Sequence, residues 1–236
     1  MFVKICGIAN EDDALLAVAL DADAVGFVFA PSRRRVDAET VRDIVRRLPR
    51  EVHTVGVFRD ERPERIVEIV GRVGLRGVQL HGHEPASEVA WIRERVQFVI
   101  QAFPAGDPGL LDAGESAADI ILVDSPNPGS GKVFDWRLAE GAPRGKRILL
   151  AGGLTPENVG DAIRLVRPWG VDVSSGVEQS PGRKDPAKLR KFIVAARAAA
   201  DDGSDAVIDR AIDRAIDLTV DEVAGVTRPW DWQVDL

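Results

Sequence analysis

A few polar residues at the ends of apolar runs, with two turns rich in glycine and serine, carry what chemistry this chain could do. Cys6, the only cysteine, closes the first run, Phe2-Val-Lys-Ile-Cys-Gly-Ile8. A lone cysteine in an apolar setting is most often an inert core thiol. A thiol at a strand tip, followed at once by glycine, instead points into whatever site the strand ends build. Asp124 closes another run, Asp119-Ile-Ile-Leu-Val-Asp124. It is either a helix cap, a buried hydrogen-bonding group, or a member of that site. Gly152-Gly153 and Ser174-Ser175-Gly176 each end a strand in small residues ahead of an expected helix. Small residues let backbone N–H groups approach an oxyanion, and helix N-termini add partial positive charge. One such cluster is as readily a tight turn that needs glycine. Two in consecutive units favour a phosphate cradle.

Arg34 lies in the triplet Arg33-Arg34-Arg35. Most basic triplets are solvated faces, but this one follows a strand tip, from which one member can reach an anionic group. Gln79 and His81 alternate along one strand, so both can face the same side. A buried, satisfied histidine is the commoner case, and no spacing in the chain suggests a metal site. The loop Asn127-Pro-Gly-Ser-Gly-Lys132 suits a lid over a site or a solvated connector.

These residues need elements to hold them. Eight short apolar runs alternate with helical patterns up to about residue 200. Asn10 is a plausible cap for the first helix, with Glu11, Asp12 and Asp13 in its positive first turn. Pro63 opens the third helix. The strands are nearly continuous in apolar residues, as parallel strands buried on both faces must be. Eight strand–helix units predict an α/β fold, the (β/α)8 or TIM barrel. An open doubly wound sheet is the alternative, weakened because no Gly-x-Gly-x-x-Gly turn follows the first strand. In a barrel, the polar residues at the C-terminal strand ends all face one mouth. The barrel is expected over residues 1–200, with 201–236 as an appended helical extension. There Ile208, Ile212 and Ile216 recur at i+4, and Trp230 and Trp232 argue against simple disorder. An extension packed on the barrel or on a neighbour is the favoured reading of that tail.

The chain has 236 residues and a formal net charge of −7, with no basic block, which makes it a poor candidate for nucleic-acid binding. One cysteine excludes an internal disulfide and a cysteine-based zinc site within one chain. No apolar run is long enough to cross a bilayer, and the N-terminus reads straight into a strand without a signal peptide. A reducing, cytoplasmic setting is expected.

Taken in order, the motifs resemble one family, the phosphoribosylanthranilate isomerases of tryptophan biosynthesis. The resemblance rests on Lys4-Ile-Cys-Gly-Ile8, Asp23-Ala-Val-Gly-Phe-Val-Phe29, Val78-Gln-Leu-His-Gly82 and Leu122-Val-Asp-Ser125. It continues in Gly129-Ser-Gly-Lys-Val-Phe-Asp-Trp136, Ala151-Gly-Gly-Leu-Thr-Pro-Glu-Asn158 and Asp172-Val-Ser-Ser-Gly-Val-Glu178. It covers residues 1 to about 198, and the tail departs from it. The resemblance implies an Amadori rearrangement without cofactor or metal, on a small phosphoribosyl substrate; a monomer and a homodimer both remain open. It implies Cys6 as general base and Asp124 as general acid. Arg34 would lie near the anthranilate carboxylate, with Gln79, His81 and Asp172 also in the substrate pocket. Gly152, Gly153, Ser174, Ser175 and Gly176 would hold the phosphate. Cysteine is an unusual base, since at a pKa near 8.5 about a few per cent is thiolate at neutral pH. Two alternatives remain: a related sugar-phosphate isomerase of histidine biosynthesis or a dual-specificity form, and a non-catalytic phosphate-binding barrel.

Overall fold

The computed structural model describes residues 1–126, 136–143 and 145–201. The loop after Asp124 and the expected extension from 202 onward lie outside the described residues.

Eight parallel strands close on themselves in sequence order. They are β1 (Phe2–Ile5), β2 (Ala24–Val28), β3 (His53–Phe58), β4 (Gly77–Leu80), β5 (Phe98–Pro104), β6 (Ile120–Asp124), β7 (Arg147–Leu150) and β8 (Gly170–Val173). Each pairs with the next, and β8 returns to β1 with Lys4 opposite Asp172. The helices are α1 (Glu11–Ala19), α2 (Ala38–Val45), α3 (Pro63–Val73), α4 (Ala86–Arg93), α5 (Gly109–Asp112), α6 (Val159–Val166) and α7 (Pro186–Asp201). A 3-10 turn, Trp136–Gly141, stands where the sixth helix would be. The alternation expected from the sequence is therefore that of a closed barrel.

Local signals explain the helix ends. The Asn10 side chain accepts from the Asp13 N–H at 2.9 Å, and the Asp37 side chain caps α2 by accepting from Thr40 N–H at 2.8 Å. Pro63 starts α3, which buries Ile66, Ile69, Val70 and Val73 on one stripe and stops at the left-handed Gly74. Asp23 ties β1 to α7. Its Oδ2 accepts from the Val3 N–H at 2.7 Å and from Arg197 on α7 at 2.7 Å.

Because side chains alternate with period two, one residue in two along each strand enters the barrel. At the N-terminal end Phe2 stacks on Trp169 with ring centroids 4.4 Å apart, and His53 meets Phe98 edge-on at 5.6 Å. Above them Val55, Ile100, Ile120, Leu122 and Leu149 form an apolar interior cluster. Lys4 and Asp172 occupy the side of that interior where β1 meets β8. The next inward positions belong to the mouth, and they include Cys6, His81, Asp124 and Ser174. The larger core lies outside the strands, where the helices cover the barrel.

The seal of α7 on the barrel is testable. Phe192 is 0% exposed and Val194 is 62% exposed. In urea denaturation Phe192→Ala should cost about 3–5 kcal/mol, and Val194→Ala should stay within about 0.5 kcal/mol.

Candidate functional site

The mouth of the barrel is built by residues that follow the ends of the strands. Cys6 stands one residue beyond β1. Its backbone N–H donates to Val173 O at 2.8 Å, which continues the β1–β8 seam past the last paired residues. The thiol is buried, with 7% exposure. Lys4, two residues back and fully enclosed, places its ammonium against Asp172 Oδ1 at 2.8 Å and beside the Cys6 thiol. Burial pulls the Lys4 ammonium down, but Asp172 and then Cys6 outweigh it and leave the group above its ordinary value. For Cys6, burial pushes the thiol up; Lys4 draws it down, Asp172 pushes it up again, and Lys184 draws it down. The net direction is upward.

Asp124 ends β6 opposite a second polar group. Its Oδ1 accepts from Ser125 N–H at 2.7 Å, and its Oδ2 lies 3.3 Å from His81 Nε2. His81 Nδ1 is 3.0 Å from the buried Gln79 amide nitrogen. With that amide donating to Nδ1, the imidazole proton sits on Nε2 and faces Asp124. The alternation of Gln79 and His81 thus yields a relay in which one inward side chain orients the next. Asp124 caps no helix here, since neither Ser125 nor Pro126 after it is helical. Gly152 sits at φ +86°, and a Cβ there would come within 2.3 Å of the Ser125 nitrogen. The turn after β7 can approach Asp124 this closely only without a side chain.

The two small-residue turns adjoin each other. A Cβ on Gly176 would lie 1.9 Å from the Leu154 carbonyl oxygen, so the turns after β7 and β8 are in backbone contact. Asn158 pins the first turn, accepting from Thr155 N–H at 2.7 Å and donating to Gly153 O at 3.0 Å. One expectation needs correction. Neither turn runs directly into a helix. After Gly153 the chain takes five more residues before α6. After β8 it enters a 3-10 turn, Ser175–Val177, and a hairpin of β9 (Glu178–Ser180) and β10 (Arg183–Lys184) before α7. Any oxyanion held here relies on close backbone N–H groups more than on helix dipoles.

Of the arginine triplet only Arg34 is drawn inward. Its Nε and Nη2 fork onto Glu178 at 2.7 and 2.8 Å, so the geometry ties it first to the hairpin. Burial pushes Glu178 up, but the Arg34 fork, Lys184 and a Gly182 N–H outweigh it and hold the carboxyl low. Lys184 is buried and donates to Cys6 O at 2.7 Å, Ser174 O at 3.0 Å and Glu178 at 3.3 Å. It clamps the ends of β1 and β8 together. Burial lowers its ammonium below the ordinary lysine value.

The structure therefore brings Cys6, Arg34, His81, Asp124 and the two turns to one end of the barrel, with Gln79 and Asp172 one inward step below on their strands. Sequence reasoning assigned nothing to Lys4, Glu178 or Lys184. A lysine in the middle of an apolar strand, at an inward position, was the available sign of Lys4. Lys184 sits in an ordinary-looking charged string, Arg183-Lys184-Asp185, and carries no such sign.

A closed eight-stranded α/β barrel with a thiol, an imidazole and a carboxylate at its C-terminal mouth is the architecture of a barrel enzyme. The sequence model described as N-(5'-phosphoribosyl)anthranilate (PRA) isomerase matches residues 3–195. The chain belongs to this family. An N-(5'-phosphoribosyl)anthranilate isomerase of Desulforudis audaxviator is 50% identical over 204 residues, covering 84% of this chain and 98% of the relative. The crystal structure of phosphoribosyl anthranilate isomerase from Thermus thermophilus superposes with a TM-score of 0.79 at 40% identity, covering 84% of this chain and 99% of the other. A phosphoribosyl anthranilate isomerase in complex with reduced 1-(o-carboxyphenylamino)-1-deoxyribulose 5-phosphate superposes with a TM-score of 0.75 at 42% identity, covering 84% of this chain and 99% of the other.

The Arg34–Glu178 fork predicts a pH-dependent contribution to stability. Glu178→Gln removes one partner of a buried pair and should cost roughly 3 kcal/mol at neutral pH. A carboxyl held below its unfolded value of about 4.3 contributes fully above that value and loses its contribution as pH falls through the folded one. The gap between native and variant in urea unfolding should therefore narrow below about pH 4. A gap independent of pH would show that the charge of Glu178 is not what matters.

Proposed function

We propose that this chain converts N-(5'-phosphoribosyl)anthranilate to 1-(2-carboxyphenylamino)-1-deoxyribulose 5-phosphate by acid–base catalysis. What supports this reading most is the inward register that puts both Cys6, just past the end of β1, and Asp124, at the end of β6, at the barrel mouth. Asp124, carrying its proton, gives it to the furanose ring oxygen. The C1–O bond breaks, and the nitrogen lone pair forms the C1=N bond of a protonated Schiff base. Cys6 as thiolate then takes the C2 proton. The C2–H electron pair becomes a C1=C2 bond and neutralises the nitrogen. The enolamine loses its C2 hydroxyl proton, gains one at C1, and becomes the ketone. Two proton-transfer groups are sufficient for each of these steps.

The other residues hold the substrate in place. His81, oriented by Gln79, donates toward the Asp124 carboxylate once its proton has been given. Asp172 meets the substrate amine or hydroxyls. Gly152, Gly153, Ser174, Ser175 and Gly176 receive the phosphate through backbone N–H groups and hydroxyls. Arg34, steadied by Glu178 through two of its three nitrogens, turns Nη1 to the anthranilate carboxylate. We place the reaction in the cytoplasm, where a lone thiol stays reduced, and the protein acts as a monomer or homodimer.

Substrate consumption is read by fluorescence. Cys6→Ser and Asp124→Asn should each lower kcat by about 10²–10⁴-fold, while inorganic phosphate still competes with substrate as well as it does in the native protein. Near-native turnover by either variant would remove that residue from its role. The raised thiol sets the pH profile. The base is the deprotonated form, so kcat/KM should climb as pH rises from neutrality toward and beyond the ordinary thiol value of about 8.5. A flat profile across that range would contradict a cysteine base.

A further inference from the structure

Lys4 is the largest fully buried side chain of the barrel interior and does not touch the mouth directly. Its ammonium is held between two groups. On one side Asp172 Oδ1 accepts from it at 2.8 Å, across the register in which Lys4 faces Asp172 between β1 and β8. On the other side stands the Cys6 thiol, two residues along the same face of β1. The space for both comes from β2. A Cβ at Gly26 would lie 3.0 Å from Cys6 Sγ and 3.1 Å from Lys4 Nζ, so the sulfur and the nitrogen flank one vacancy that only glycine leaves open.

The charges around Cys6 come from five segments, with Glu178 on β9 among them. Lys4 lies on its own strand, Asp172 on β8, Lys184 on β10, and Arg34 beyond β2. Arg34 and Lys184 share Glu178. Lys184 spends its ammonium on the Cys6 and Ser174 carbonyl oxygens and so meets the backbone of Cys6, not its sulfur. The three cations exceed the carboxylates Asp172 and Glu178 by one charge. A thiolate at Cys6 would make the cluster neutral. Lys4 is the cation that faces the sulfur.

We propose that Lys4 is a positioning residue for proton transfer, its ammonium held by Asp172 across the β1–β8 seam so that it stabilises Cys6 as a thiolate. This rests on the reading of Cys6 as the base. Lys4 keeps its proton throughout and touches no substrate atom. It determines how much of Cys6 is competent to accept the C2 proton.

The chain has one cysteine and no tyrosine, so the ultraviolet band of the thiolate reports Cys6 without tyrosinate overlap. Lys4→Met alone would leave Asp172 buried and unpaired, and Asp172→Asn alone would leave Lys4 buried without the carboxylate that meets its charge, so both are changed together. The native protein is titrated against Lys4→Met/Asp172→Asn, with Lys4→Gln/Asp172→Asn as a second neutral variant. A cation beside an ionisable group moves it by about 1–3 pKa units. The thiolate midpoint in both double variants should therefore lie at least about one unit above that of the native protein. A purely structural lysine would alter unfolding and leave the midpoint in place. Equal midpoints in the three folded proteins overturn the proposal. Turnover by the native protein is measured alongside. Its absence would sink the isomerase reading without touching the titration, and an unmoved midpoint beside normal turnover would sink the role of Lys4 alone.

Discussion

The closure of β8 on β1 sets Lys4 against Asp172 inside the barrel, and the mouth is built upon that ion pair. A lysine with no solvent exposure persists only if its charge is met, and here a single carboxylate meets it. The same register fixes everything one step above. Cys6 continues the seam through its hydrogen bond to Val173 O, and Lys184 grips Cys6 O and Ser174 O across it. A slip of β1 by one residue would turn Lys4 and Cys6 outward into the helix layer and leave Asp172 without its partner. The pair therefore specifies register as well as charge.

Across the barrel from this ionic half lies an apolar one. Ile100, Ile120, Leu122 and Leu149 fill the interior under Asp124 and exclude water from beneath it. Among the described residues Asp124 has its partners at the mouth, Ser125 and His81. The Cys6 side and the Asp124 side thus stand in different surroundings at one mouth. Cys6 sits over buried charge, and Asp124 sits over hydrocarbon. That difference in surroundings suits the opposite roles proposed for the two groups.

Much of this was legible in the sequence because strand periodicity is simple. Eight β-branched runs between helical patterns gave the barrel, and the strand tips gave Cys6, His81, Asp124 and Ser174 without reference to any relative. The helix caps at Asn10 and Pro63 were equally local. What escaped depended on contacts between distant parts of the chain. Glu178 and Lys184 belong to a hairpin that inserts between β8 and α7, where pattern alone suggested a direct run from strand to helix. Their partners, Arg34 and Cys6, are 144 and 178 residues away in the chain. Lys4 was visible as a misplaced charge in an apolar strand, but its function depends on Asp172 and on the space left by Gly26.

The most direct test is a crystal structure of this chain with reduced 1-(o-carboxyphenylamino)-1-deoxyribulose 5-phosphate bound. The phosphate should lie between the Gly152-Gly153 and Ser174–Gly176 turns. The carbon equivalent to C2 should stand within about 3.5 Å of Cys6 Sγ, the separation of a reactive contact. Asp124 should face the ligand from the opposite wall. A ligand whose phosphate lies elsewhere, or whose C2 is remote from Cys6, would contradict the assignment of the acid and the base.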